Sequence, residues 1–443
     1  MRVLFIECDT ESVWSVASLG PGYLAAWLRK AGHDVGFLRV PVDRSVPAVV
    51  EQVRGKAPDL IAFSLTTRQW HRARALAGAL KEALGKPIIA GGLHPTFAPE
   101  EVLATPGFDY VCLGEGENPL LELVAALEAG EVPFGIDNIW IKGHLRPKVR
   151  SPFEPIDALP FMARDMLDEH HGVVHLTTQR GCPFPCTYCA ARMYNALYAE
   201  GGEEYGRRRS AQNVLEELFA IRRTGRLSWV IFLDDTFTIH HPWVREFCDV
   251  YARELKVPFS INARVETVNP TLLSQLAAAG CKHIIYGVES GSYRIRKEIM
   301  HRPVKNDRFV DVFRWTREAG IMVTANYMMG LPGETRDDLQ ATLDLAEELD
   351  AADFGYFVFY PYPGTPLYQT CRDQGLLPED FGERVANHRE SVLKLEHITQ
   401  EDISEFYDKF TALRERTHLK RQPLNAFGKA AMQEQIRRHA RHA

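Results

Sequence analysis

Gln179-Arg180-Gly181-Cys182-Pro183-Phe184-Pro185-Cys186-Thr187-Tyr188-Cys189 sets three cysteines at the spacing CxxxCxxC, directly after a strand-like run, Val174-His175-Leu176-Thr177. With eight cysteines in 443 residues, chance would place such a triplet on the order of 0.003 times per chain, so the spacing carries information. Three thiolates are one short of what a structural zinc, or a cubane cluster used only for electron transfer, normally takes. A cluster with one iron left open to a ligand accounts for three. A zinc knuckle completed by a fourth ligand from elsewhere is the alternative. Cys8, Cys112, Cys248, Cys281 and Cys371 are scattered in apolar contexts that suit small buried side chains, and they offer no second metal set.

Outward from that loop, the run at Val174 opens a series of strands at Trp229 to Leu233, Phe259 to Asn262, His283 to Val288, Met322 to Met328 and Gly355 to Tyr360. Helical stretches such as Asn213 to Arg223 and Arg336 to Leu349 separate them, which predicts a partial (β/α)6 barrel over 173–375 with working residues at the carboxyl ends of its strands. Those ends carry Asp234-Asp235, then Asn262, Arg264 and Glu266, then Gly287-Val288-Glu289-Ser290-Gly291-Ser292. In Gly330-Leu331-Pro332-Gly333-Glu334-Thr335, Gly333 suits a turn, and Thr335 is placed to cap a helix with Asp337 and Asp338 in its first turn.

Upstream, residues 1–135 alternate strand-like runs (Val3 to Ile6, Val35 to Leu38, Leu60 to Leu65, Pro87 to Gly92, Tyr110 to Gly114) with helical patterns. This predicts a doubly wound, flavodoxin-like parallel sheet with ligands at its strand ends. The residues there are Glu7, Ser64, Leu65, Thr66, Gly91, Gly92, His94, Gly114, Glu115 and Gly116. Residues 136–172, rich in Pro and Asp, read as a linker. Residues 376–443 read as a helical region with a basic end, Gln435 to His442, whose plain reading is a solvated terminal helix.

A composition that is 45% hydrophobic and 25% charged is that of a globular protein of two or three domains. A net charge of −6 argues against coating nucleic acid. No apolar run approaches the ~18 residues of a membrane span, and the start reads into a strand without a signal peptide, so a cytoplasmic location is expected.

The CxxxCxxC run with Tyr188 before its last cysteine resembles the radical S-adenosylmethionine (radical SAM) superfamily. The resemblance implies a 4Fe-4S cluster on Cys182, Cys186 and Cys189. Its open iron would hold the amino and carboxylate groups of S-adenosylmethionine (SAM), and an external one-electron reductant would drive cleavage to a 5'-deoxyadenosyl radical. It also implies that Asp234 or Asp235 accepts from the SAM ammonium, Arg264 meets its carboxylate and Glu289 its ribose. Tyr188, Asn262 and Ser290 complete the expected SAM set. A doubly wound domain carrying Gly91-Gly92-Leu93-His94 and Gly114-Glu115-Gly116-Glu117 ahead of such a barrel looks like the cobalamin-binding class of radical SAM enzymes. Its expected cobalamin contacts are Ser64, Leu65, Thr66, Gly91, Gly92, His94, Gly114, Glu115 and Gly116, with glycines letting the nucleotide tail lie against the backbone. No DxHxxG occurs, so no histidine ligand to cobalt is expected.

The implied reaction is methylation of an unactivated carbon of a small-molecule or peptide substrate, through the deoxyadenosyl radical and methylcobalamin. Oxidative cyclisation or rearrangement uses the same parts and stays open. A non-catalytic iron-sulfur or cobalamin sensor is the alternative outside enzymes, although it has no use for acids and Arg264 at successive strand ends. Cys8 and Cys112 are too far apart to form the additional cluster site of a methylthiotransferase. Tyr356, Phe357, Phe359, Tyr360 and Tyr362 either line an apolar substrate pocket or, the favoured reading, fill core.

Overall fold

Val3, Leu4, Phe5 and Ile6 are all buried, although successive strand residues point to opposite faces. A strand covered on both faces belongs in the middle of a parallel sheet. In the computed structural model, which describes residues 1–10, 19–166, 172–225, 227–385 and 389–420, that strand is β1 (Arg2–Cys8). It is followed by β2 (Asp34–Val40), β3 (Leu60–Ser64), β4 (Ile88–Gly91), β5 (Tyr110–Cys112) and β6 (Ile139–Ile141). Their spatial order is 2-1-3-4-5-6, with the first five parallel. This is the flavodoxin-like arrangement, with its switch point between β1 and β3.

β6 is antiparallel to β5, so the stretch read as a linker holds an edge strand. Asn138, in the left-handed region at φ 68°, fixes the return. Its Nδ2 donates to Leu113 O at 2.6 Å, and its Oδ1 accepts from Arg150 N at 2.7 Å. Chain contacts also separate two compact units, Met1–Glu169 with Ala190–Arg207 and Tyr362–Gly364, and His170–Cys189 with Arg208–Pro361 and Thr365–Ala443. The helix Ala190–Ala199, inside the range read as barrel, thus joins the first unit. Tyr198 and Tyr194 carry it there, Tyr198 through Glu115 N at 2.8 Å and Tyr194 against the Phe97 ring at 5.1 Å.

In the second unit, β7 (Val173–Leu176), β8 (Trp229–Phe232), β9 (Phe259–Ala263), β10 (Cys281–Glu289), β11 (Met322–Met329) and β12 (Asp353–Val358) pair in sequence order. All are parallel. Strict alternation of buried and partly buried residues along β11 marks a wall with one face under helices and the other turned to the barrel interior. The covered face shares a core of Phe232, Phe247, Phe259, Tyr286, Tyr327 and Phe354. Burying each such ring contributes about 1.5–3 kcal/mol.

The helix Gln400–Lys420 closes over β12, where Tyr356 stacks on Phe410 at 5.5 Å. Tyr356 is buried there; Phe359 is buried instead against Leu331, Leu367 and Cys371, and Tyr360 under Phe381, whereas Phe357 points the other way and is 38% exposed. The basic stretch Gln435 to His442 lies outside the described residues. No described helix is long and apolar enough to cross a membrane.

Candidate functional site

The cysteine loop leaves the carboxyl end of β7 and is held at both ends. At its start, Asp234 accepts from Thr178 N (2.7 Å), Thr178 Oγ1 (3.0 Å) and Gln179 N (2.9 Å). Burial still pushes this carboxyl up to about 6. Asp234 is thus engaged by the start of the loop, through two backbone N–H groups and one hydroxyl. Asp235 is the acid left facing outward: water reaches it, yet surrounding protein raises its carboxyl above the ordinary range. Further along, Thr187 Oγ1 donates to Ile299 O at 2.6 Å, and Thr187 O accepts from Leu367 N at 3.0 Å. Cys182 and Cys186 are buried and Cys189 partly so. Among the described residues no three His, Cys, Asp or Glu side chains converge on a point that one ion fills.

A chain of alternating charge starts at the middle cysteine. Arg264 Nη1 donates to Cys186 Sγ at 3.0 Å, and its Nη2 meets Glu266 Oε1 at 2.5 Å. Glu266 Oε2 lies 3.7 Å from Arg302, which lies 3.4 Å from Glu289 Oε1. Burial raises the Glu289 carboxyl, while Arg302 and a hydrogen bond from Tyr188 oppose the rise. Glu289 has φ 71° and its carboxylate folds over Gly287, where a Cβ would lie 2.3 Å from Oε1. Asn262 Nδ2 donates to Asp234 O at 3.1 Å.

Ser290 departs from its expected role. Fully buried, its hydroxyl lies 3.2 Å from Thr342 Oγ1 and receives Ser292 N, so it fastens the strand end to the helix Arg336–Leu349. Gly291 allows that approach, since a Cβ there would sit 2.0 Å from Ala341 O. Thr335 does cap that helix, with Asp338 completing a capping box.

The strand ends of the first unit are built differently. A cavity of about 50 Å³ opens there between Phe5, Phe63, Ile89 and Leu120, with Ser64, Gly91, Gly92, Gly114 and Gly116 in its lining. Gly92 has φ 97° and ψ −164°, and a Cβ on it would lie 2.8 Å from Leu65 O. Gly114, at φ 71°, leaves room for Tyr198 Oη at 2.5 Å from where a Cβ would stand. Gly91 and Gly116 have ordinary contacts, so their missing side chains keep the cavity open.

Four expected contacts face elsewhere. The Leu65 side chain is in the core. Thr66 caps the helix Thr67–Leu84, its N–H donating to Gln69 Oε1 at 2.8 Å. Glu115 is paired with Arg207 at 2.6 Å, both side chains buried. His94, read as a loop residue, is buried and stacked on Trp70 at 4.7 Å, and burial lowers its pKa to about 4.

Residues 176–346 match the model of the radical SAM superfamily, and residues 15–124 match that of the B12 binding domain. The chain thus combines a radical SAM domain with a B12 binding domain. It is 29% identical over 433 residues to an uncharacterized methyltransferase of Pyrococcus horikoshii, covering 92% of this chain and 91% of that one. It is 27% identical over 432 residues to the anaerobic magnesium-protoporphyrin IX monomethyl ester cyclase of Cereibacter sphaeroides, covering 91% and 68%. In fold it is similar to the cobalamin-dependent SAM radical enzyme OxsB, with a TM-score of 0.72 at 19% identity, covering 92% of this chain and 65% of that one.

The residues present fit the cofactors of the family. Three soft thiolates without a carboxylate among them suit an iron-sulfur cluster. Glycines at the strand ends of the first unit leave backbone open to a group that must lie against it. Motif reading overlooked Arg302: its side chain is 2% exposed, and Nε and Nη2 make no hydrogen bond. A guanidinium buried with unmade bonds awaits an acceptor, because leaving it so is costly. Its sequence signal was a cation thirteen residues past a strand-end acid, which no local pattern distinguishes from a surface arginine.

Proposed function

We propose that this chain is a cobalamin-dependent radical SAM enzyme that methylates an unactivated carbon of a small molecule. The observation carrying the proposal is that one chain combines a cysteine loop tied into a chain of ion pairs with a second strand-end site whose loops are built from glycines. When bound, the cluster and SAM supply one-electron hydrogen abstraction, and cobalamin supplies a transferable methyl group.

Cys182, Cys186 and Cys189 would hold the cluster, with electrons from an external reductant. Asp235 is available to an ammonium, Arg302 to a carboxylate and Glu289 to a diol, each a charge-assisted pairing of complementary geometry. Tyr188 donates to Glu289 and so orients it. Ser64, Gly91 and Gly116 would border the cobalamin, Ser64 with a hydroxyl and the glycines with exposed backbone. Phe357 and Met328, neighbours on the barrel's inner face, would exclude water from the reacting carbon.

Cyclisation is the second reading, favoured by the nearly equal identity to the magnesium-protoporphyrin cyclase. Anaerobically reconstituted protein, given a small-molecule extract as the source of acceptor, cobalamin, SAM carrying a deuterated methyl group and dithionite, separates the two when products are counted above a control without extract. Methyl transfer yields both 5'-deoxyadenosine and S-adenosylhomocysteine. Deoxyadenosine without S-adenosylhomocysteine favours cyclisation, and neither product from an intact cluster sinks the enzyme reading.

A further inference from the structure

Arg264 is held on three sides. It follows Ala263 at the carboxyl end of β9 with extended backbone, φ −109°. Nη1 donates to Cys186 Sγ at 3.0 Å. Nε and Nη2 both donate to Glu266 Oε1, at 3.2 and 2.5 Å. The guanidinium carbon lies 3.9 Å from the ring centroid of Phe184, within the cysteine loop itself. Only 11% of the side chain is exposed. A rigid planar fork with one edge on a carboxylate and the other on a sulfur has little freedom left to swing onto a substrate carboxylate. Arg302, by contrast, keeps Nε and Nη2 without hydrogen bonds.

We propose that Arg264 is a positioning residue that sets the reduction potential of the cluster through Cys186, and that Glu266 opposes it; this rests on the cluster reading above. An N–H donated to a cluster sulfur withdraws charge from the iron. It stabilises the reduced state, which carries one more negative charge, and so raises the potential. The Arg264–Glu266 pair is nearly neutral as a whole, but its positive end is the one on sulfur. The field at the cluster is therefore that of a dipole aimed to favour reduction, in a partly dry site where such fields are weakly screened. Removing either partner changes that dipole with opposite sign.

Redox titration of the SAM-free, reconstituted full-length protein, followed by the electron paramagnetic resonance signal of the reduced cluster, tests this. Arg264→Gln moves the midpoint negative: at the potential where the wild type is half reduced, the ratio of reduced to oxidised cluster falls about tenfold, equivalent to about 59 mV for one electron. Arg264→Lys, which keeps one cationic donor, restores part of the shift. Glu266→Gln moves the midpoint positive. Damage to the loop would move both substitutions the same way, and that result overturns the inference. So does an unchanged midpoint in Arg264→Gln at full iron content, even if SAM binding weakens. A wild-type chain that takes up no reducible cluster overturns the functional reading itself, and this inference with it.

Discussion

The two sets of strand ends solve opposite problems. On the barrel side the rim is crowded with charge: Asp235, Arg264, Glu266, Arg302 and Glu289 lie on three loops and a strand end, and the last four are linked in a chain of ion pairs in which Arg302 is buried. On the flavodoxin-like side, Glu115 is withdrawn into an ion pair with Arg207, His94 is withdrawn under Trp70, and glycines line an apolar cavity. Charge held in place suits a small zwitterion bound to a cluster, because fixed dipoles pay no reorganisation when it binds. Absent side chains suit a large group recognised by shape and backbone.

The strongest way to break this comparison is to disable one side and read the other. Cys186→Ala is expected to abolish the cluster and all deoxyadenosine formation while leaving cobalamin retention intact; loss of both would contradict two independent sites. Next, Gly116→Leu fills the cavity from a position whose backbone any residue adopts, φ −105°. It should remove bound cobalt with little change in Tm and with full iron. Arg302→Met follows: losing hydrogen bonds to a charged group, about 1.5–3 kcal/mol, should raise the SAM Kd by about 10- to 150-fold. An unchanged Kd by calorimetry would return the carboxylate to another residue.

The smallest effect concerns Glu334, whose Oε2 accepts from Gly330 N at 2.6 Å and Leu331 N at 3.1 Å while burial raises its pKa from 4.5 to about 8. The folded state holds this proton more tightly than the unfolded chain does. Its contribution is therefore complete below pH 4.5 and fades as pH rises to about 8. Glu334→Gln should flatten the fall in stability across that window in denaturant titrations; an unaltered slope means the carboxyl is ionised when folded.

Periodicity made both sheets legible, since alternation in β11 and an unbroken apolar run in β1 follow directly from what covers each face. The cysteine spacing located the site, and Thr335 was readable as a cap. What escaped depends on partners far away in sequence. Asp234 stands at a strand end like a ligand, but nearby backbone N–H groups of Thr178 and Gln179 claim it first. Glu115 meets Arg207 from 92 positions away, and Ser290 meets Thr342 across a helix. Ile139-Trp140-Ile141 is too short a run to stand out from a Pro-rich stretch until Asn138 turns it back onto β5. Strand ends are visible in a sequence, whereas which of their side chains remain unclaimed is decided by packing.

Metal content of the purified, anaerobically reconstituted chain tests the central claim most directly. Two separate sites predict about four irons and one cobalt per chain in the wild type, cobalt without iron in Cys186→Ala, and iron without cobalt in Gly116→Leu. Iron and cobalt that disappear together in either variant, or a tightly held zinc in place of iron, would contradict it.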